Sequence, residues 1–456
     1  MGITGFQPFI RKTYNGAFNE KWLKTYDNLY IDLNFVLHNI CDVSNTIEEL
    51  LENFINSLKI IIKEYTPTKR LFLIADGVAP NAKLFLQRER RINNISKNLS
   101  LHLSVGSKFM RNLEENLNDF IKSIEEKYNI EIITQIIDPN EGEIKIRYQV
   151  QKIQNKNKED THAIYSGDSD TILLLMTCDD VSKIYNVIKI KSEKITLHIG
   201  KLFEIHENLY GGNKYDFVFL NMLMGNDYIP SVSCLKFENL WDSYKFFSKY
   251  FEKLIYYETE NKLKINETFF NCVITRAIKD IKKGYLVRFN VNSLIQEEIN
   301  NNYKKYVEGL FWCFNMYAKG DCYDYEYIYD IKYKPHVYGV LLSLLANSTY
   351  ELKKNNPLNY ELCGILLIPS HSKKNVLTKK QILISQELEK EFSILYEEEK
   401  CNSCKENKEH KNTHKKLDLC VLEKIKKYYL KISDNFDNYE EYKIIKTTNM
   451  FKKRLV

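Results

Sequence analysis

Between residues 27 and 199 the chain alternates short apolar runs with longer segments of helical period. The runs at 27–33, 70–76, 130–137, 162–166, 183–190 and 194–199 are too short for helices and bounded by polar residues, so they predict strands. Amphipathic spacing predicts helices near 46–65, 81–97, 109–128, 143–156 and 168–178, and another through 215–225. Alternation of this kind predicts an α/β fold with a mostly parallel sheet and flanking helices. Beyond about residue 236 the pattern changes. Residues 237–310 read as mainly helical with charged faces, 311–335 are dense in aromatics, and 336–398 carry apolar runs and then a charged helix. Residues 400–416 are rich in Lys, His and Asn, and the remainder reads as helical and basic. The expected divisions are a first region at 1–235, a helical connector at 236–300, a second region at 301–399 and a basic tail at 400–456.

The apolar runs tend to stop at carboxylates. Asp32 ends NLYID, Asp76 ends LFLIAD, Glu141 and Glu143 follow in DPNEGE, Asp168 and Asp170 lie in YSGDSD, and Asp227 in MGNDYIP. In an open α/β sheet the strand carboxyl ends converge on one crevice where ligands bind. Carboxylates gathered there repel one another and raise each other's pKa values unless cations compensate. Hard divalent ions with oxygen ligands are the natural compensation, Mg²⁺ above all where phosphate is present. Glu141/Glu143 and Asp168/Asp170 have i, i+2 spacing, which in an extended segment puts both acids on one face. Two ions about 3.5–4 Å apart would stabilise the attacking and leaving oxygens of an in-line displacement. The acids taken singly are equally compatible with helix caps. Taken together and in order, they point to metal-dependent phosphoryl transfer.

Lys83, Gln87, Arg90 and Arg91 are spaced i, i+4, i+7 and i+8, so on a helix they share one face. Arg offers bidentate donation to phosphate and Lys a point charge, so this face would grip a compact anion close to Asp76. A solvated basic face is the plainer alternative. Tyr323, Tyr325, Tyr327 and Tyr329 alternate. In an extended segment they would form either a stacking platform or a core-facing aromatic row.

Composition narrows the picture modestly. At 456 residues, 44% hydrophobic and 13% aromatic, the chain is long enough for two or three domains with a large core. Its net charge of +6 permits a polyanionic partner without demanding one. No stretch is apolar enough to span a membrane, and the N-terminal MGITGFQPFI fits neither a signal peptide nor a myristoylation site. The cysteines are scattered, which suits a reducing compartment. Cytoplasm is the expectation, with the nucleus as alternative, and the Lys-, Ile- and Asn-rich usage would suit a large DNA virus. Cys401, Cys404, His410 and His414 form C-x₂-C-x₅-H-x₃-H, a candidate Zn²⁺ site that reads equally well as a polar linker.

The stretches DNLYIDLNFVLHN, LIADGVAPNAKLFLQRERR, NEGEIKI, AIYSGDSDTILL and FLNMLMGNDYIPSV resemble the Xrn/Rat-type 5′→3′ exoribonucleases. A weaker match runs through YVEGLFWCFNMYAKGDCYDYEY and PLNYELCGILLIPS. The resemblance implies a PIN/flap-nuclease-like sheet, with a mainly helical second region closing the active site. It implies that Asp32, Asp76, Glu141, Glu143, Asp168, Asp170 and Asp227 bind two Mg²⁺ ions, with Mn²⁺ as a substitute. It implies that Lys83, Gln87, Arg90 and Arg91 hold a 5′-monophosphate, and that His38 stacks on a base. The family's stacking tryptophan has no counterpart here, and Tyr323 or Tyr325 is the nearest match. The implied activity is processive degradation of 5′-monophosphorylated single-stranded RNA to 5′-mononucleotides by a monomer. The chain also ends soon after the second region, as a member without the long accessory extension would. A flap-endonuclease-like DNA nuclease is the alternative, but GNDYIPSVSCLKFENL lacks the glycine-rich helix–turn–helix of that family. An inactive RNA-binding scaffold is a further alternative, opposed by the complete acid set.

Overall fold

The computed structural model describes residues 3–18, 23–93, 98–190, 193–278, 297–329, 334–392 and 417–439. All six expected strands form: β1 (Thr25–Asp32), β2 (Thr66–Ile74), β3 (Glu131–Gln135), β4 (His162–Tyr165), β5 (Ile184–Ile190) and β6 (Glu193–His198). They build one sheet in the order β3-β2-β1-β4-β5-β6. Every neighbouring pair is parallel except β5–β6, a hairpin at the edge. The α/β expectation of a mostly parallel sheet with flanking helices therefore holds.

The sheet is buried on both faces, as the continuous apolar runs require. Leu29, Ile31, Leu71 and Leu73 enter one core with Phe54, Leu58 and Phe120 from the helices Ile47–Glu64 and Leu113–Tyr128. The intervening Tyr30, Phe72 and Ile74 enter the other, with Ile144, Leu173 and Phe217. This is the two-residue period of a strand. Each such fully buried side chain contributes roughly 1.5–3 kcal/mol. From β1 the chain moves to one side of the sheet for β2 and β3, then returns to the other side for β4 and β5. The switch between β1 and β4 opens a crevice at their carboxyl ends.

The second core continues into Trp241, Phe269, Phe311 and Leu344, which come from the helices Phe237–Phe247, Glu267–Ala277, Glu297–Lys319 and Val337–Ala346. Residues 237–310 are less uniformly helical than their pattern suggests. Strands β7 (Ile255–Thr259) and β8 (Lys262–Ile265) form an antiparallel hairpin, joined by β9 (Thr349–Glu351). KLKI alternates buried and half-buried positions, a period of two that charged flanks disguise as a helix face. A third core sets Leu84, on the basic helix Asn81–Asn93, against Leu362, Ile384 and Leu422. Arg88, on the same helix, buries its guanidinium and donates to the Leu366 carbonyl.

Among the described residues no helix is long and apolar enough to cross a membrane. The candidate zinc ligands Cys401, Cys404, His410 and His414 lie outside the described residues.

Candidate active site

Three of the acids lie at or just past the ends of the central strands. Asp32 is the last residue of β1 and caps the helix Leu33–Cys41, its Oδ1 accepting from the Phe35 N–H at 3.0 Å. Its Oδ2 accepts from the Ser166 hydroxyl at 3.1 Å, which ties β1 to the loop after β4. Asp76 lies just past β2, where its N–H donates to Asn34 Oδ1 at 2.8 Å and its own Oδ1 accepts from the Gly142 N–H at 2.8 Å. Beyond β4, Asp168 Oδ1 accepts from the Asp170 N–H at 3.1 Å. A Cβ on Gly142 would lie 3.4 Å from an Asp76 oxygen and 3.6 Å from an Asp32 oxygen, so these two carboxylates converge on the same turn.

The i, i+2 pairs do not sit in extended chain. Glu141 is the extended N-cap of the helix Gly142–Gln154 and Glu143 lies in its first turn. Asp170 opens the helix Asp170–Met176. Each pair therefore straddles a loop-to-helix junction, where the positive end of the helix dipole favours carboxylates. Asp227 comes from the loop after the helix Lys214–Met222.

A cleft of about 970 Å³ is lined by Asp32, Asp76, Glu141, Glu143, Asp168 and Asp227, by the whole basic face Lys83, Gln87, Arg90 and Arg91, and by His38. Asp170 lies beneath, 2% exposed, with Oδ2 accepting from the Tyr317 hydroxyl at 3.0 Å. The Lys83 ammonium reaches into the acids, paired with Glu141 and, at 3.2 Å, with Asp227. Arg90 approaches Asp227 at 3.5 Å. Arg91 is braced by Ser104 Oγ at 2.6 Å and the Gln87 carbonyl at 3.2 Å.

The tyrosine tract does something other than the alternation suggests. Residues 321–329 turn at 325–326 and form no strand. Tyr325 is 5% exposed, with its ring in the core and its hydroxyl donating to Asn140 Oδ1 at 2.7 Å. Tyr327 stacks on Trp312 at a centroid distance of 4.5 Å. Tyr323 is half-buried and does not line the cleft. Tyr325, one of the two tyrosines expected to stack on a base, is thus packed into the core, and neither it nor Tyr323 is among the residues that line this cleft. The tract acts as a clamp instead. Its Tyr325 and Tyr327 carbonyls accept from the Asn81 and Ala82 N–H groups at 2.8 and 3.1 Å, capping the basic helix. Asn140, at a φ of 78°, donates to Asp321 Oδ1 at 2.7 Å, so the loop bearing Glu141 is held by the same turn.

Sequence reasoning missed Tyr228, Tyr317, Asn34, Ser166 and Asn140. The Tyr228 hydroxyl donates to Glu141, and its ring lies 5.6 Å from the Lys83 ammonium. Its position directly after Asp227 was a usable signal. Tyr317 lies within the apolar helix Glu297–Lys319 and reads there as core.

The acids are strained electrostatically. Burial, then the Asp76 charge, push Asp32 up to about 7. Burial, then Asp168, do the same to Asp170, also to about 7. Burial raises Glu141 against the opposing pull of Lys83, and burial with Asp168 raises Glu143 well above the carboxylate range. Asp227 goes the other way: burial would raise it, but Lys83 and Arg90 together outweigh that and hold it low. Lys83 is buried, which disfavours its charge, yet Glu141, Glu143 and Asp227 keep it protonated far beyond neutral pH. Among the described residues, Asp170 Oδ1 is a buried carboxylate oxygen with no hydrogen-bond partner. Among the described residues no three His, Cys, Asp or Glu side chains close tightly enough to enclose a metal ion as they stand. The donor set is nonetheless all oxygen, desolvated and short of positive charge, which fits a hard divalent cation with retained waters.

The match to a family model described as XRN 5′-3′ exonuclease N-terminus covers residues 1–102 and 93–186. The human 5′-3′ exoribonuclease 1 is 25% identical over 50% of this chain and 17% of its own length. Its Saccharomyces cerevisiae namesake is 25% identical over 45% of this chain and 18% of its own. A protein of Acanthamoeba polyphaga mimivirus, provisionally named a 5′-3′ exonuclease, is 33% identical over 31% of this chain and 27% of its own. The matched part of this chain thus spans less than a third of each of these relatives. Among solved structures, the catalytic core of Rad2 in complex with DNA substrate is similar over 68% of this chain and 83% of that one, at a TM-score of 0.38 and 13% identity.

Proposed function

We propose, for a chain whose first 186 residues match a family model described as XRN 5′-3′ exonuclease N-terminus, a processive 5′→3′ exoribonuclease acting on 5′-monophosphorylated single-stranded RNA. The observation that carries the reading is the cleft itself, where the anion-gripping face and the acids share one space. The 5′ phosphate docks on Lys83, Gln87, Arg90 and Arg91. Lys83 already touches Glu141 and Asp227, so the grip and the acids are contiguous, and a phosphate docked there would lie beside the acids. Each cut then releases a 5′-mononucleotide. His38, which lines the same cleft, stacks on a base.

Two Mg²⁺ ions, which Mn²⁺ would replace, are to be held by Asp32, Asp76, Glu141, Glu143, Asp168, Asp170 and Asp227, and would supply a nucleophilic hydroxide and charge neutralisation on the scissile phosphate. The chain's own residues do the rest. Ser166 and the Phe35 N–H orient Asp32, Gly142 orients Asp76, and the phenols of Tyr228 and Tyr317 orient Glu141 and Asp170. Lys83 shifts from carboxylate to phosphate as substrate enters. The working divisions are a nuclease region at 1–235, a connector at 236–300, a closing region at 301–399 and a tail at 400–456. The protein acts as a monomer in the cytoplasm, in RNA decay or processing.

The test is a time course with Mg²⁺ on 3′-labelled single-stranded RNA carrying either a 5′-monophosphate or a 5′-hydroxyl. Loss of full-length monophosphate RNA without ladder intermediates is expected, with the hydroxyl RNA spared. Internal cuts, or preference for branched DNA, would transfer the protein to the flap-nuclease chemistry. Binding without cleavage in Mg²⁺ or Mn²⁺ would make it a scaffold.

A further inference from the structure

On the exoribonuclease reading a base would need an aromatic surface, and neither Tyr323 nor Tyr325 is among the residues that line the cleft. Of the residues that line the cleft, Phe35 alone carries a benzenoid ring. It lies one helical turn before His38 on the helix Leu33–Cys41, so the two rings share a face. Phe35 is part-buried rather than core, and its backbone N–H holds the metal-site acid Asp32. The ring rests on Gly167, where an added Cβ would come within 2.3 Å of a ring carbon. Gly167 directly precedes Asp168, so the ring is seated between the strand ends that carry Asp32 and Asp168. Tyr165 packs behind it, ring centroids 5.8 Å apart, which fixes the plane from one side.

These placements decide where a nucleobase goes. A leading nucleotide has its 5′ phosphate on the basic helix and its 3′ phosphate at the acids. Its base then needs a wall of the same cleft, and the Leu33–Cys41 helix contributes Phe35, His38 and Asn39 to that lining. We propose that Phe35, with His38, forms the stacking site for the leading nucleobase, and that Gly167 is glycine to make room for it. The inference rests on the exoribonuclease reading and names the surface through which that substrate is held. Stacking on a benzenoid face is tolerant of base identity, so the site would serve a degradative enzyme that must accept any sequence.

The test is a cycle that removes the ring and the base separately. Binding of 3′-labelled, 5′-monophosphorylated single-stranded RNA is followed by fluorescence anisotropy without divalent ions, so that no cleavage intervenes. The RNA carries either a normal first nucleotide or an abasic one. For the wild-type protein, loss of the base should weaken binding about tenfold. In Phe35→Leu, which keeps an apolar side chain on Gly167, that penalty should shrink to about threefold or less, and in Phe35→Tyr it should return. An equal penalty in wild type and Phe35→Leu, with both proteins binding RNA, would overturn the stacking site and leave the exoribonuclease reading intact. Failure of the wild-type protein to bind monophosphorylated RNA at all would overturn both.

Discussion

Replacing Asp170 by Asn should abolish cleavage and, in the absence of metal at alkaline pH, stabilise the fold. Asp170 is 2% exposed, lacks a partner on Oδ1, and is pushed from the ordinary 3.8 up to about 7 by burial and Asp168. A carboxyl whose pKa is raised on folding favours the native state most at low pH. That contribution is complete below about pH 4 and drains away as the pH rises through about 7. A shift of this size is worth up to about 4 kcal/mol at 1.36 kcal/mol per unit. Asp32 carries a similar burden, but interacting acids titrate together, so the two do not simply add. For a chain this long, roughly 1–2 °C of melting temperature corresponds to 1 kcal/mol. In EDTA at pH 8, Asp170→Asn should therefore melt about 2–6 °C above wild type, and the gap should narrow at pH 5 and close only near pH 4. Bound Mg²⁺ relieves the same repulsion, so it should raise the wild-type melting temperature more at pH 8 than at pH 5. Differential scanning fluorimetry over that grid reads all the arms. A variant that melts below wild type in EDTA at pH 8, or a Mg²⁺ shift independent of pH, would refute the argument that unbalanced charge strains this cluster.

Further outcomes can be checked independently. Gly77→Ala would place a Cβ 1.6 Å from the Asp138 carbonyl oxygen, so the loops bearing Asp76 and Glu141 must part; a urea melt should register a loss of about 3 kcal/mol or more. Asn140→Asp keeps the shape but turns a donor facing Asp321 at 2.7 Å into a second carboxylate, which should cost about 1–3 kcal/mol of stability at pH 8 and slow turnover more than it raises KM. Arg91→Ala should erode the preference for 5′-phosphate over 5′-hydroxyl RNA, read from the ratio of kcat/KM values on the two substrates; an unchanged ratio would put the anion grip elsewhere. Zinc retained by the intact chain after extensive dialysis against chelating resin would support a site at Cys401, Cys404, His410 and His414, and its absence would remove it.

The acids were legible because strand ends are. A buried strand is a short apolar run with a definite last residue, so Asp32 and Asp76 could be placed at a sheet edge without knowing its neighbours. The basic face was legible because 3.6-residue spacing carries its own geometry. What holds these groups was not, since it depends on contacts between distant segments: Tyr317 lies 147 positions from Asp170, and Tyr325 lies 185 from Asn140. Alternation misled in both directions. KLKI is a strand that its lysines disguise, and the tyrosine tract alternates without being a strand, because Trp312 and Asn140 draw its side chains inward. The tract is more consequential as a turn than as a platform. It accepts from the first N–H groups of the helix that bears Lys83 and Arg91, and it hydrogen-bonds the residue before Glu141. The spacing between the anion grip and the acids is therefore held by the chain beyond residue 320. On the proposed reading, that spacing sets the distance between a docked 5′ phosphate and the bond to be cut. On the proposed reading, a fragment with all seven acids and the whole basic face, but without the turn, would keep the chemistry's components and lose the fixed placement of one against the other.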